Sequence, residues 1–291
     1  MEKCNLCQSL KVKTIYSGKI RNGKFGAYIE DSNILECLSC GVIYLSNYKH
    51  DKSFYETKKY RESYNLEYDK KSYIKEVSGE NEMRLSKIRI QNILDKVVID
   101  VGAGPGIFLD LLKPFSKKTI AIEPAYFYHD ELKKNHLVYS YNNDALEANV
   151  KGDIVTSFNV IEHVEDPQSF LGDIYKLLNK SGKLIMITPN HDDILMKLNI
   201  PEFNSFYYRT AHLYYFNKES VTRMLNNAGF RNIKVEYFHN LDISNLLIWA
   251  KDKIPSGLNF INLFNNNFNE IYKKYLEEEG KSNYLWIEAE K

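Results

Sequence analysis

Three closely spaced glycines give this chain its clearest chemical signal. Residues 98–109 read Val-Ile-Asp-Val-Gly-Ala-Gly-Pro-Gly-Ile-Phe-Leu, so Gly102, Gly104 and Gly106 follow an apolar run and precede an apolar helix. Glycine has no side chain to block a ligand and tolerates positive φ, so such a strand–turn–helix lets a ligand contact bare backbone. Asp100 lies inside the strand, two residues before the first glycine. The segment therefore predicts a ligand-binding loop.

The glycine spacing separates two classes of ligand. Dinucleotide folds use G-x-G-x-x-G, in which the last glycine eases the packing of helix on strand around a pyrophosphate. Here the third glycine comes one position earlier, and the D-x-G-x-G-x-G pattern resembles motif I of the class I S-adenosylmethionine-dependent methyltransferases. The resemblance implies that S-adenosylmethionine is the cofactor and that it contacts Asp100, Gly102, Ala103 and Gly104.

Acidic residues after the next two predicted strands strengthen this interpretation. Glu123, followed by Pro124, ends the second strand 21 residues after Gly102, where a carboxylate can accept hydrogen bonds from both ribose hydroxyls. Asp144 and Ala145 follow the third strand. The resemblance implies that Asp144 contacts the adenine amino group and that the apolar residue after it packs on the ring. Taken alone, a glutamate at a strand end is solvated and an aspartate in a loop is a cap or turn residue.

The exit from the fourth predicted strand narrows the resemblance. Residues 153–167 read Asp-Ile-Val-Thr-Ser-Phe-Asn-Val-Ile-Glu-His-Val-Glu-Asp-Pro, which resembles the signature of methyltransferases that act on small molecules. Residues 182–190, and later residues 212–216 and 228–230, also resemble segments of that branch. The resemblance implies a donor contact for Asn159.

Transfer of a methyl group to a hydroxyl needs a base that removes the proton. Histidine titrates near neutrality and suits this role. The candidates at the carboxyl edge of the predicted sheet are His163, His191 and His212, with Glu162 beside the first. The glutamate–histidine pair of the family often shapes the pocket, so His163 is either the base or an acceptor-orienting residue. His212 lies among aromatic residues, in the segment that caps the acceptor in related folds.

All four cysteines fall in the first forty residues as two C-x-x-C pairs, Cys4 with Cys7 and Cys37 with Cys40. Two such knuckles separated by a strand-rich stretch are the pattern of a four-cysteine zinc ribbon, since two intervening residues let both thiolates of a knuckle face one tetrahedral ion. Two disulfides or a redox dithiol are the alternatives; a reducing compartment disfavours the first, and two matching pairs disfavour the second. The expected ion is a structural Zn²⁺, because four thiolates leave no open position for catalysis.

Composition and charge restrict the remaining classes of protein. The 291 residues are 44% hydrophobic and 26% charged, as in an ordinary globular protein, and 39 Lys and Arg against 38 Asp and Glu give a net charge of +1. Proteins that wrap RNA or DNA usually have a basic excess, so the balance argues against a nucleic-acid partner. No run approaches the ~18 apolar residues of a membrane span, and the first residues lack the apolar core of a signal peptide. We therefore expect a cytoplasmic protein.

From residue 97 onward the pattern alternates between strands and helices, which predicts a parallel sheet with right-handed crossovers. The resemblance implies a Rossmann-like α/β methyltransferase sheet of seven strands, with helices on both faces and an antiparallel last strand. We predict a zinc ribbon at residues 1–45, a helical lid or linker at 46–95 and the methyltransferase domain at 96–291. The predicted strands cover residues 97–101, 119–123, 138–141, 153–157, 183–188, 232–238 and 284–290, and two of the helices cover 105–113 and 167–179.

Two further segments have more than one interpretation. Tyr60, Tyr64 and Tyr68 are spaced to share one helix face, and a second helix is expected at residues 80–94. The tyrosines of the lid or linker either pack against the core or cover the cofactor. Residues 241–281 form a helical insertion before the last strand, which is either a homodimer surface or an acceptor cap.

These features favour methyl transfer from S-adenosylmethionine to a small-molecule acceptor. The resemblance to zinc-ribbon methyltransferases implies a hydroxyl of a sugar or nucleotide-linked sugar in glycan or natural-product biosynthesis. Arg209, near the expected acceptor cap, either binds an anionic group of the acceptor or forms a surface salt bridge. The alternatives are an RNA methyltransferase that docks through its zinc ribbon, N-methylation of an amino sugar or related small molecule, and a non-catalytic protein that only binds the cofactor.

Overall fold

Strands and helices alternate along most of the chain in the computed structural model, which describes residues 3–255 and 264–291. The strands are β1 (Val12–Arg21), β2 (Tyr28–Cys37), β3 (Ile43–Leu45), β4 (Val97–Val101), β5 (Lys118–Ile122), β6 (Leu137–Tyr139), β7 (Gly152–Phe158), β8 (Leu178–Pro189), β9 (Tyr214–Tyr215), β10 (Arg231–Phe238) and β11 (Tyr284–Glu290). The α-helices are α1 (Ser53–Glu56), α2 (Lys59–Ser63), α3 (Lys70–Ile88), α4 (Ile107–Leu112), α5 (His129–Leu132), α6 (Asn142–Glu147), α7 (Pro167–Leu177), α8 (Ile194–Lys197), α9 (Pro201–Tyr207), α10 (Lys218–Asn227), α11 (Ile243–Asp252) and α12 (Asn266–Glu278). Short 3-10 helices cover Ile90–Asn92, Tyr126–Tyr128 and Ile161–His163.

Seven strands form one sheet in the order β10-β11-β8-β7-β4-β5-β6. β4 pairs in parallel with β5 and β7, and β5 pairs in parallel with β6. In β4 the four residues after Val97 are all buried, as expected for a parallel strand covered on both faces. The predicted seven-stranded Rossmann-like sheet is confirmed, and all seven predicted strands are present.

Among the strands, the largest boundary error concerns β8, which begins five residues before the predicted start at residue 183. Helix α7 ends at Leu177, and the strand follows it directly. Ser181 and Gly182, which directly follow the helix predicted at residues 167–179, lie inside the strand, where Ser181 has a positive φ of 62°. The strand therefore contains an irregular backbone between the helix and the predicted start of the strand.

A second sheet is antiparallel and has the order β1-β2-β3-β9. β1 and β2, in the strand-rich stretch between the cysteine pairs, form a hairpin with Ile20 opposite Ile29. β9 contains only two residues, and it pairs with β3 although nearly 170 residues separate them along the chain. Ile20, Phe203 and Trp249 belong to one buried apolar cluster. The cysteine-bearing hairpin therefore shares a sheet and a core with residues that follow β8.

The described residues group into two compact units, each built from separate stretches of the chain. One unit comprises the chain up to Lys49 with Ile187–Arg223 and Lys234–Ile287, and the other comprises His50–Met186, Met224–Ile233 and Glu288–Lys291. The predicted domain boundaries at residues 45 and 95 remain a prediction. Residues 1 and 2 of the predicted zinc ribbon and residues 256–263 of the predicted insertion lie outside the described residues.

Helix α3 replaces the helix expected at residues 80–94 and begins ten residues earlier. Asp69 caps it by accepting a hydrogen bond of 3.0 Å from the Ser72 N–H. The helix ends at Ile88, because the φ of 61° at Arg89 does not continue a right-handed helix. None of the helices in the described ranges, including this longest one of 19 residues, is both long and apolar enough to cross a membrane.

The tyrosines of the predicted lid do not share one helix face. Helix α2 ends at Ser63, so the expectation for Tyr60, Tyr64 and Tyr68 is wrong. The rings of Tyr60 and Tyr64 lie 5.2 Å apart, whereas Tyr68 packs on Phe127 with ring centroids 6.3 Å apart.

Helices α11 and α12 lie in the predicted insertion before β11. On α12 the side chains of Phe268, Ile271 and Tyr275 are exposed by 44%, 68% and 53%. A row of exposed apolar side chains is what a homodimer surface would require, and the homodimer remains a prediction.

Candidate functional site

The glycine loop joins β4 to α4 and is shaped by close neighbours. Gly102 and Gly106 have φ of 79° and 80°, which residues with a Cβ rarely adopt. A Cβ on Gly102 would lie 2.4 Å from Val160 Cγ2, and one on Gly106 would lie 2.6 Å from Leu132 Cδ2. Glycine is therefore required at both positions, for conformation and for space.

Glu123 lies against this loop, directly after β5. Its Oε2 accepts a hydrogen bond of 2.7 Å from the Gly104 N–H, and its Oε1 accepts one of 2.9 Å from the Ala125 N–H. Burial raises the pKa of Glu123 to about 7, although both hydrogen bonds act to lower it. Ala103 is buried and Pro124 is half-buried. The structure thus brings the predicted ribose-binding carboxylate and the glycine loop together.

Asp100 is buried inside β4 and holds a neighbouring strand. Thr156 Oγ1 on β7 donates a hydrogen bond of 2.6 Å to Asp100 Oδ1. Burial raises the pKa of Asp100 to about 6, while the Thr156 hydroxyl and the Arg84 guanidinium act to lower it. The carboxyl therefore fixes the strand that carries the glycine loop, and a donor contact for it remains a prediction.

Asp144 acts as a helix cap in this structure. Its Oδ2 accepts a hydrogen bond of 3.0 Å from the Tyr141 N–H, as part of a capping box at the start of α6. Asp144 is exposed and Ala145 is buried. The adenine contacts implied for these two residues remain predictions.

Two polar atoms near the exit of β7 lack a hydrogen-bond partner within the described part of the chain. They are Ser157 Oγ and Asn159 Oδ1, both shielded from solvent. Asn159 also has a positive φ of 56°, which asparagine tolerates better than most residues. Buried polar groups are normally paired, and the donor contact expected of Asn159 remains a prediction. The resemblance pointed to Asn159, whereas nothing in the sequence distinguished Ser157.

His163 and Glu162 lie on the 3-10 helix that follows β7. His163 Nδ1 lies 3.0 Å from the Tyr55 hydroxyl, within hydrogen-bond distance. Its Nε2 lies 3.9 Å from Oε1 of Glu162, a residue only 1% exposed. A buried carboxylate therefore stands beside a ring that can carry a proton. Tyr55 lies in the predicted lid or linker at residues 46–95, and no local sequence pattern indicates its contact with His163.

Aromatic rings from α1 and α2 cover one side of His163. The ring centroids of Tyr55 and Tyr60 lie 5.6 Å and 5.9 Å from the imidazole, both edge-on. Phe54 packs on Tyr55 at 5.0 Å, and His50 stacks on Phe54 at 4.1 Å. Such contacts fix ring orientation beyond the effect of burial alone. These tyrosines contact His163, and a cover over the cofactor remains a prediction.

His191 and His212 belong to the other compact unit. His191 Nε2 lies 2.9 Å from the Tyr208 hydroxyl. Burial lowers the pKa of His191 to about 4, so its imidazole is neutral and weakly basic at pH 7. His212 is buried, and its ring lies 6.0 Å from the ring of Tyr215. Both histidines lie among tyrosines, and a catalytic role for His212 remains a prediction.

The four cysteines converge beside the hairpin. The Sγ atoms of Cys4 and Cys40 lie 3.7 Å apart, and those of Cys7 and Cys37 lie 3.5 Å apart. All four Sγ atoms lie within 4.8 Å of one another. These separations exceed the ~2.05 Å of a disulfide and match the ~3.8 Å between sulfurs of a tetrahedral zinc–thiolate site. The structure shows free thiols arranged as such a site requires.

Residues 72–235, more than half of the chain, match the family model described as a methyltransferase domain. The chain belongs to this family. The matched region begins in α3, ends in β10, and contains the glycine loop, Glu123 and His163. The family expected from the motifs is thereby confirmed.

Curated relatives of this methyltransferase-family chain are named for different activities. A probable S-adenosylmethionine-dependent methyltransferase of Mycobacterium tuberculosis is 28% identical over 145 residues, which are 47% of this chain and 49% of that protein. A tRNA U34 carboxymethyltransferase of Ruthia magnifica is 28% identical over 157 residues, which are 50% of this chain and 49% of that protein. The chain thus spans about half the length of the curated relatives it matches.

A solved structure shows the same fold. It is the crystal structure of a SAM-dependent methyltransferase from Archaeoglobus fulgidus, with a TM-score of 0.51 and 20% sequence identity. The similarity covers 75% of this chain and 98% of that one.

Proposed function

We propose that this methyltransferase-family protein transfers the methyl group of S-adenosylmethionine to a hydroxyl of a small metabolite, specifically a sugar or a nucleotide-linked sugar. The observation that carries the proposal is the placement of His163 beside Glu162 and under the rings of Tyr55 and Tyr60. A group able to take a proton, covered by aromatic rings, fits proton removal from an acceptor of limited size.

The residues around the glycine loop fit the donor. S-adenosylmethionine, when bound, supplies a methyl group made electrophilic by its positively charged sulfur. Glu123 would accept hydrogen bonds from the ribose, and Ser157 and Asn159 offer buried oxygens without a partner in the described chain. The residues that would hold the donor or support its site are Asp100, Gly102, Ala103, Gly104, Glu123, Pro124, Asp144, Ala145 and Asn159.

His163 would take the proton from the acceptor hydroxyl at Nε2 while the oxygen attacks the methyl carbon. A carbon–oxygen bond forms as the carbon–sulfur bond breaks, the electron pair of the broken bond stays on sulfur, and the proton then passes from the imidazole to water. Glu162, with Oε1 3.9 Å from Nε2, stabilises the imidazolium. The rings of Tyr55 and Tyr60 keep water from the reacting atoms and help to align the acceptor.

The cysteine cluster would hold a structural Zn²⁺. The proposal is supported by four thiols whose Sγ atoms lie within 4.8 Å of one another at the base of the β1–β2 hairpin. Four thiolates complete the coordination of zinc, so this ion would stabilise the fold around the hairpin and take no part in methyl transfer.

An RNA acceptor is the second candidate. The similarity to a tRNA U34 carboxymethyltransferase favours it. The net charge of +1 opposes it, because proteins that bind RNA usually neutralise several phosphates with a basic excess. A small acceptor therefore remains the better supported of the two.

The test supplies methyl-labelled S-adenosylmethionine to the purified protein with a cell extract divided into low-mass metabolites and total RNA. We expect label in the metabolite fraction, on an oxygen of a sugar-containing compound. Label in RNA alone would replace the proposal by its alternative, and label on nitrogen would correct the acceptor atom. Bound donor without any labelled product would indicate a non-catalytic binding protein.

A further inference from the structure

The four-residue helix α1 is held at two points by residues that follow different strands. The Tyr55 hydroxyl lies 3.0 Å from Nδ1 of His163, which follows β7. The neighbouring Glu56 accepts a hydrogen bond of 2.5 Å at Oε1 from the hydroxyl of Tyr141, which follows β6. Burial and the Glu56 carboxylate both raise the pKa of Tyr141, so this hydroxyl keeps its proton and remains a donor.

The order of the sheet shows what lies between these two contacts. β7 and β6 are separated by β4 and β5, and these four strands are parallel. Their carboxyl ends therefore meet at one edge, where β4 carries the glycine loop and β5 is followed by Glu123. Three strand spacings, about 14 Å, separate β6 from β7. Tyr55 and Glu56, adjacent residues of α1, thus contact residues on either side of the glycine loop.

The ring of Tyr55 is fixed by its neighbours as well as by its hydroxyl. Its centroid lies 5.0 Å from that of Phe54, 5.4 Å from that of Tyr60 and 5.6 Å from that of His163. Contacts on several sides restrict the rotamer of Tyr55, so its hydroxyl is held within hydrogen-bond distance of His163 Nδ1.

We propose that Tyr55 is a positioning residue for His163: its oxygen accepts the Nδ1–H and leaves Nε2 as the nitrogen that receives the acceptor proton. The proposal deepens the proposed function and rests on it for the identity of the base. In this arrangement the neutral imidazole carries its proton on Nδ1, away from the reacting atoms. After transfer, the hydrogen bond to the Tyr55 oxygen strengthens because its donor has become positively charged.

The first test needs no acceptor. Nitrogen NMR of the full chain, labelled in its histidine rings and assigned with His163→Gln, reports which nitrogen of His163 holds the proton. We expect the Nδ1–H form in the wild type and loss of that preference in Tyr55→Phe, which keeps the ring and removes only the hydroxyl. Nδ1–H at the same population in both proteins, or Nε2–H in the wild type, would overturn the proposal.

The second test uses the low-mass fraction that accepts label. Tyr55→Phe should lower kcat by roughly 3- to 10-fold, as for loss of one hydrogen bond, with the KM for S-adenosylmethionine unchanged. The acid limb of the kcat profile should move to lower pH, because the lost hydrogen bond favoured the charged imidazole. A purely structural role for Tyr55 would change the amplitude of that profile without moving it.

A matched control and a double variant complete the design. Tyr68→Phe removes a hydroxyl from a tyrosine of the same segment that is 41% exposed, and it should leave kcat and the profile unchanged. In a His163→Gln background, Tyr55→Phe should have no further effect, because the two residues act as a unit. Equal losses in both backgrounds would refute the positioning role while methyl transfer by the wild type still supported the proposed function.

Discussion

At the scale of single residues, the carboxylates that the motifs assign to the donor also hold backbone. Glu123 accepts hydrogen bonds from two N–H groups, one of them in the glycine loop, and Asp144 accepts one at the start of α6. Asp193, near the end of β8, does the same for the Leu195 N–H at 2.8 Å. Each acid therefore fixes the local backbone, and the donor contacts expected of Glu123 and Asp144 remain predictions.

We expect Glu123→Ala to weaken the binding of S-adenosylmethionine by roughly 10- to 100-fold, because charge-assisted hydrogen bonds worth ~1.5–3 kcal/mol are lost. Isothermal titration calorimetry measures the change in Kd. Glu147→Ala, at an exposed position of α6, serves as the control and should bind the donor normally. An affinity equal to that of the wild type would remove Glu123 from the donor site.

The raised pKa of Glu123 also predicts how the stability of the protein depends on pH. Its pKa is raised from 4.5 in the unfolded chain to about 7 by burial, so the folded chain holds this proton more tightly. The wild type therefore loses stability as the pH rises from about 4.5 to about 7, where the buried carboxyl becomes charged. The Glu123→Gln side chain carries no charge at any pH. The free energy of unfolding of this variant, relative to that of the wild type, should therefore rise across this window by up to about 3 kcal/mol.

Urea denaturation at pH 5 and pH 8 measures that gain as the difference in the free energy of unfolding between variant and wild type. Glu147→Gln should show no such dependence, since its side chain is exposed. A difference for Glu123→Gln that stays constant between the two pH values would mean that folding does not raise the pKa of the Glu123 carboxyl.

At the scale of elements, the smallest pieces of structure depend on their side-chain contacts. Helix α1 has four residues and β9 has two, and isolated segments of this length are not stable in water. α1 is held by Tyr55 and Glu56, and β9 by its pairing with β3. Such elements follow from tertiary contacts and have no local sequence signal of their own.

The cysteine cluster beside the β1–β2 hairpin predicts the zinc content and the thermal stability of the protein. If the four cysteines bind Zn²⁺, metal analysis should find one zinc per chain, and Cys37→Ser should lose it. Because metal binding is coupled to folding of the knuckles, the same variant should lower Tm by roughly 5 °C or more. Calorimetry measures the shift, and Lys24→Ser, exposed in the turn of the hairpin, is the control. A wild type that is free of zinc after expression in zinc-supplied medium would contradict the proposal.

At the scale of the whole molecule, the parts that sequence predicts are those with a local pattern. The seven strands of the main sheet follow from apolar runs bounded by turn residues, and the glycine loop follows from its own spacing. The pairing of Tyr44 with Tyr214 and the contact of Tyr55 with His163 join residues more than 100 positions apart, so no window of sequence contains them. The same reason explains why two compact units built from separate stretches were not foreseen.

The net charge of the whole chain leads to a prediction that distinguishes an RNA acceptor from a small-molecule acceptor. With 39 basic against 38 acidic side chains, the chain has no general excess with which to displace counterions from a phosphate backbone. Filter binding at 150 mM salt should therefore show affinity for total tRNA no tighter than about 10 µM, with a shallow dependence on salt. Saturable binding well below that concentration, falling steeply with salt, would support the RNA acceptor.

Charge reversal then identifies the surface responsible for any such binding. Lys11, Lys19 and Lys24 are exposed in or beside the β1–β2 hairpin, and Lys251 and Lys274 are exposed on α11 and α12. If the hairpin docked RNA, replacing its three lysines by glutamate would abolish binding, while Lys251→Glu with Lys274→Glu would change it little. If binding is weak in every variant and the metabolite fraction still takes up label, the hairpin and its cysteine cluster serve the fold, and the acceptor is recognised by its own shape and hydrogen bonds.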